Sequence, residues 1–120
     1  MLLFRAGEDV IRAGEEDRAL YIIVQGSLEI VLIDDRGEEN RYGVIAQHSV
    51  TGEMAFLDGR PRAATIRALT DGEVLRLSFE SYEVLAARYP ELGRAIALDL
   101  GRILAARLRR ANDVIAKTGT

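Results

Sequence analysis

Gly52-Glu53-Met54-Ala55-Phe56-Leu57-Asp58-Gly59-Arg60-Pro61-Arg62-Ala63-Ala64-Thr65-Ile66 is the stretch on which the reading of this chain turns. Gly52 frees the backbone ahead of a short apolar run, Met54 to Leu57, long enough for one or two helical turns. Asp58-Gly59 stops that run, because glycine enters the left-handed conformation at little cost. Pro61 then fixes the chain direction, and Arg62 follows at once. N–H groups at a helix start lack intrahelical partners and attract negative charge. An arginine adds a planar fork that matches two phosphate oxygens. Glu53 repels an anion unless it has a task of its own, such as accepting hydrogen bonds from sugar hydroxyls. One carboxylate, one arginine and a helix start together describe a site for the sugar-phosphate of a nucleotide. On the residues alone, a structural ion pair between Glu53 and Arg62 is the competing reading.

Outward from this stretch the text is rich in short strands. Leu2–Arg5, Asp9–Arg12, Ala19–Val24, Leu28–Ile33, Arg41–Ala46, Ala63–Ala68 and Glu73–Leu77 carry β-type residues between glycine-bearing turns, the pattern of a barrel or jelly roll. The charged segment 34–40 reads as a solvated hairpin tip, since its acids match no metal-loop spacing. The period changes after Ser78, a plausible N-cap with Phe79, Tyr82, Leu85 and Ala86 at helical spacing. Pro90 breaks or kinks that helix. A second helix is expected over 91–116, with Leu92, Ile96, Leu100, Leu104, Leu108, Ala111 and Ile115 as its apolar stripe. Gly93 and Gly101 weaken it by roughly 1 kcal/mol each.

The chain has 120 residues, one domain's worth, with a formal charge of −3 that argues against a nucleic-acid surface. The arginines of the second helix read as a solvated face. Cysteine is absent, which removes disulfides, thiolate metal sites and thiol catalysis. His48 is the one histidine and builds no zinc site alone. The serines have no plausible base beyond it, so serine hydrolysis has no support. No apolar run approaches the roughly 20 residues of a membrane span, and a cytoplasmic setting is expected.

Gly52-Glu53-x-Ala55-x-Leu57, followed by Pro61-Arg62-Ala63-Ala64-Thr65-Ile66, resembles the phosphate-binding cassette of cyclic nucleotide-binding domains. That family includes catabolite activator proteins, regulatory subunits of cAMP-dependent protein kinase and cyclic-nucleotide-gated channels. Upstream, Phe4, Gly7, Gly14 and Leu20-Tyr21-Ile22-Ile23-Val24-Gln25-Gly26 resemble its strands and glycine turns, so the likeness runs to about Pro90. It implies a mainly β fold with α: an eight-stranded jelly-roll barrel over about 1–78, a short cassette helix, and C-terminal helices over about 79–116. It also implies a ligand-binding set of Gly52, Glu53, Met54, Ala55, Arg62, Ala63 and Ala64. Glu53 would hold the ribose 2′-hydroxyl, Arg62 the cyclic phosphate, and backbone N–H groups around Met54, Ala55, Ala63 and Ala64 the rest of it. In the kinase branch, alanine in the place of Ala63 goes with cAMP. The sequence departs from the pattern at His48 and Ser49, where the family has Gly-Asp, and at Thr51, where it has a bulky apolar residue.

The expected function is therefore a non-enzymatic sensor, without metal or cofactor, whose ligand is cAMP or another cyclic nucleotide. Binding would be transmitted through the C-terminal helix, which could pair with a second copy as a homodimer. A larger parent protein is expected, with no nucleic-acid binding or membrane segment in this chain. The alternatives are a degenerate scaffold or dimerisation module that binds no nucleotide, favoured by His48 and Thr51, and a cupin-like metalloenzyme, disfavoured by the missing histidine cluster.

Overall fold

The structure, a computed structural model, describes residues 1–118. In chain order the elements are β1 (Leu2–Phe4), β2 (Asp9–Ile11), β3 (Ala19–Gln25), β4 (Leu28–Ile33), β5 (Glu39–Ile45), β6 (Val50–Thr51), α1 (Glu53–Asp58), β7 (Thr65–Ala68), β8 (Gly72–Ser78), α2 (Phe79–Arg88) and α3 (Pro90–Thr118). The strands form two antiparallel four-stranded sheets, ordered β1-β8-β3-β6 and β2-β7-β4-β5. This corrects the expected barrel. Neither hydrogen-bond ladder joins the other, and the strands form the two sheets of a jelly roll rather than one closed sheet.

Both sheets supply the core. Phe4, Ala19, Tyr21, Ile23 and Val74 come from one, and Ile11, Leu28, Ile45, Ile66 and Ala68 from the other. The alternation Ala19, Tyr21, Ile23 sends every second residue of β3 inward. β3 lies inside its sheet, bonded to β8 on one side and to β6 on the other, where Tyr21 faces Thr51. The cassette is thus entered from a two-residue strand fastened to a core strand.

Contacts divide the chain into two compact units, Met1–Phe79 and the stretch from Glu80 onward. In the helical unit Pro90 opens α3, a position where its missing N–H costs nothing. The Tyr82 hydroxyl donates to the Gly93 carbonyl at 2.7 Å, joining α2 to α3. A Cβ on Gly93 would lie 2.5 Å from the Ala86 Cβ, so this glycine permits close approach of the two helices. Along the α3 stripe Leu100 is buried, whereas Leu92, Leu108 and Ile115 are exposed. Among the described residues no helix is long and apolar enough to cross a membrane.

The hairpin tip has a local cause: the Asp34 carboxylate accepts from the N–H groups of Arg36 and Glu38, both at 2.9 Å. The turn into β6 is less relaxed. His48, exposed, has a φ of 69°. It occupies the left-handed region at the position where the cassette pattern has glycine. Its N–H bonds to Ile23 O at 2.6 Å, and Ser49 O accepts from Ile23 N–H at 2.9 Å, so the turn is pinned to β3. A side chain in this conformation costs about 1–2 kcal/mol, against roughly 0.5–1 kcal/mol for the extra chain entropy of glycine. His48→Gly should therefore raise stability, by at most about 1.5 kcal/mol in denaturant unfolding. A loss instead would show that the imidazole makes a stabilising contact.

Candidate functional site

The cassette helix is short and sharply bounded. Gly52 is its N-cap at φ 78°, Gly59 its C-cap at φ 70°, and Gly59 N–H returns to Ala55 O at 2.9 Å. No side chain caps its start, so its first N–H groups are not used up by a capping hydroxyl or carboxylate. Glu53 is the first helical residue, and it is buried. Ala55 and Phe56 point inward, while Met54 is exposed.

Arg62 is fixed along its whole length. Its backbone exchanges two hydrogen bonds with the loop before β3, Gly14 N–H to Arg62 O at 2.8 Å and Arg62 N–H to Glu15 O at 2.9 Å. Its side chain is buried, at 5% exposure for the residue. The guanidinium donates from Nη1 to Gly52 O at 2.9 Å, and from Nη2 to Ala19 O at 2.8 Å and to the Asp17 carboxylate at 3.3 Å. Its Nε is buried without a hydrogen-bond partner. Gly52 is required by this arrangement. A Cβ there would lie 2.6 Å from Arg62 Nη1 and 3.0 Å from Ala19 O, at a φ that already favours glycine.

Behind Arg62 lies a second layer of charge. Arg76 Nη2 donates to Asp17 Oδ1 at 2.6 Å, and the Tyr21 hydroxyl donates to Asp17 Oδ2 at 3.1 Å. Burial pushes the Asp17 carboxyl up, but hydrogen bonds from Arg76 and Tyr21, the Arg76 charge and the bond from Arg62 outweigh it and hold it below the ordinary carboxylate value. Burial, first, pushes the Tyr21 hydroxyl up, and the Asp17 charge adds to that.

At the other end of α1, Arg18 donates to Phe56 O at 2.8 Å and Leu57 O at 2.9 Å. Its guanidinium lies 3.5 Å from the centre of the Phe79 ring, which meets Phe56 edge-on at 5.4 Å. A cation on the last carbonyls of a helix satisfies acceptors that have no partner within it.

The structure brings Gly52, Glu53 and Arg62 to one end of α1, with Ala63 exposed and Ala64 half-buried in the turn leading from Arg62 into β7. The acid that Arg62 pairs with is Asp17. Asp17, Arg18, Tyr21 and Arg76 were not legible as site residues. Asp17 and Arg18 lie in a polar loop, and Arg76 is 59 positions from Asp17 in the chain. Among the described residues no group of three His, Cys, Asp or Glu side chains could hold a metal ion.

Residues 1–89 match the cyclic nucleotide-binding domain family, and the chain belongs to it. A cyclic AMP receptor protein of Thermus thermophilus is 31% identical over 110 residues, covering 92% of this chain and 49% of that protein. The solved structure of the Thermus thermophilus catabolite activator protein superposes with a TM-score of 0.83 at 29% identity, covering 98% of this chain and 54% of the other. A lysophospholipase of Pyricularia oryzae is 29% identical over 112 residues, 93% of this chain but 7% of that enzyme. The chain thus spans about half the length of the bacterial regulator, and a small fraction of the enzyme.

Proposed function

We propose that this chain is a regulatory module that binds a 3′,5′-cyclic nucleotide and does no chemistry itself. The observation that carries this is Arg62: a buried guanidinium beside an uncapped helix start, with Nε facing no protein acceptor. Nε and a terminal nitrogen make the fork that binds two phosphate oxygens. In this reading Arg62 holds the cyclic phosphate, helped by the Gly52 turn and by backbone N–H groups of Met54, Ala55, Ala63 and Ala64, and Glu53 accepts from the ribose 2′-hydroxyl. The name of the Thermus relative and Ala63 both favour cAMP over cGMP. Ligand would bias the position of α3 by preferring one of its arrangements, and the output would lie elsewhere in a longer, cytoplasmic protein, a regulator or an enzyme.

Calorimetric titration with cAMP and cGMP tests this reading. Wild type should bind cAMP more tightly. Arg62→Ala should cost about tenfold to more than a hundredfold in affinity, since a charge-assisted contact is worth roughly 1.5–3 kcal/mol. A folded Arg62→Ala variant of unchanged affinity would remove the phosphate from Arg62. No heat with either nucleotide, confirmed by equilibrium dialysis, would favour the scaffold reading. Leu108, Val114 and Ile115 are exposed on α3, and such apolar faces mark partner surfaces, so α3 is also proposed to pair with a second copy. A monomer at high concentration in the ultracentrifuge, with and without cAMP, would contradict that pairing.

A further inference from the structure

The guanidinium of Arg62 has three protein acceptors of two kinds. The carbonyls of Gly52 and Ala19, at 2.9 and 2.8 Å, carry no net charge and hold the group in place while opposing an incoming anion less than a carboxylate does. The third, Asp17, is charged, and its contact is the longest of the three at 3.3 Å. A bidentate anion needs two guanidinium nitrogens. Any pair that includes Nη2 brings the anion against Asp17, which competes for the same nitrogen and repels the same charge. The other oxygen of Asp17 is bound more tightly, to Arg76 at 2.6 Å. Arg76 therefore offsets part of the Asp17 charge and draws the carboxylate off Arg62.

We propose that Asp17 sets the affinity of the anion site, as an internal competitor for Arg62 whose strength Arg76 moderates. This rests on the cassette being an anion site, and it adds to that reading a positioning residue outside the cassette. The carbonyls orient Arg62; Asp17 adjusts how much of its charge a ligand meets.

The two partners of the tether should act in opposite directions. Asp17→Asn keeps the shape and an acceptor for Tyr21 but removes the charge, freeing both arginines. Affinity for cAMP should rise by about tenfold, the scale of one close charge in a partly buried site. Arg76→Gln leaves Asp17 to Arg62 and the Tyr21 hydroxyl and should weaken cAMP by about threefold or more, with melting temperature little changed because Arg76 is partly exposed. A merely structural network would weaken binding in both variants. Calorimetry on the whole chain decides. Tighter binding by Asp17→Asn, including binding that wild type does not show, supports the proposal. Equal or weaker binding by a folded Asp17→Asn variant, while wild type binds cAMP, overturns it and leaves the proposed function standing. No binding by either protein overturns both. Should Asp17→Asn fail to fold, unchanged affinity in Arg76→Gln overturns the tether, and a weakening at constant melting temperature supports it.

Discussion

A buried guanidinium is the constraint on which the local structure depends. Arg62 is 5% exposed, and removing a charge from water costs several kcal/mol unless it is paired and hydrogen-bonded. The chain meets that demand with groups from three places: the carbonyl of Gly52 at the helix entrance, the carbonyl of Ala19 at the start of β3, and the Asp17 carboxylate. Each acceptor fixes something else in turn. Nη1 against Gly52 excludes a side chain there, and the backbone bonds of Arg62 to Gly14 and Glu15 hold the loop that presents Asp17. Buried ion pairs can often be exchanged for apolar residues at no loss of stability. Stability alone thus gives little reason for an arginine at this position, whereas an anionic ligand gives a direct one.

The cassette helix has six residues, far below the length at which an isolated helix is stable in water. Its position is therefore set by what grips it. Arg62 holds the carbonyl before its first turn, and Arg18 holds Phe56 O and Leu57 O in its last. Arg18 also lies against the ring of Phe79, the residue with which α2 begins. The two ends of α1 are thus tied to different parts of the same unit, one toward Arg62 and one toward the exit from β8.

Much of this was legible in the sequence because it depends on local rules. Glycines at both ends of Met54–Leu57 mark the limits of α1, and both take positive φ. The apolar, β-rich run Ala19 to Val24 marks a buried strand, and the change of period after Ser78 marks the helices. Three features were not legible. β6 has two residues, too few for any alternation to show, and whether strands close into a barrel depends on hydrogen bonds between sheets, which periodicity does not encode. The charges around Arg62 were hidden for a similar reason. Asp17 and Arg76 meet only because β3 and β8 pair with Tyr21 opposite Arg76, so a residue read as part of a polar loop comes to share its carboxylate between two arginines. His48 was legible as a departure from the cassette pattern, and its positive φ gives that departure a physical meaning.

The central claim is that Arg62 takes up a ligand phosphate, and the resonance of its buried, unpartnered Nε–H in nitrogen-15 NMR reports on it directly. On titration with cAMP the account predicts a large shift of that resonance and slowed exchange of its proton with solvent, saturating together with shifts of the Met54 and Ala55 amides. Saturable cAMP binding that leaves the Arg62 Nε–H and both amides unmoved would contradict it.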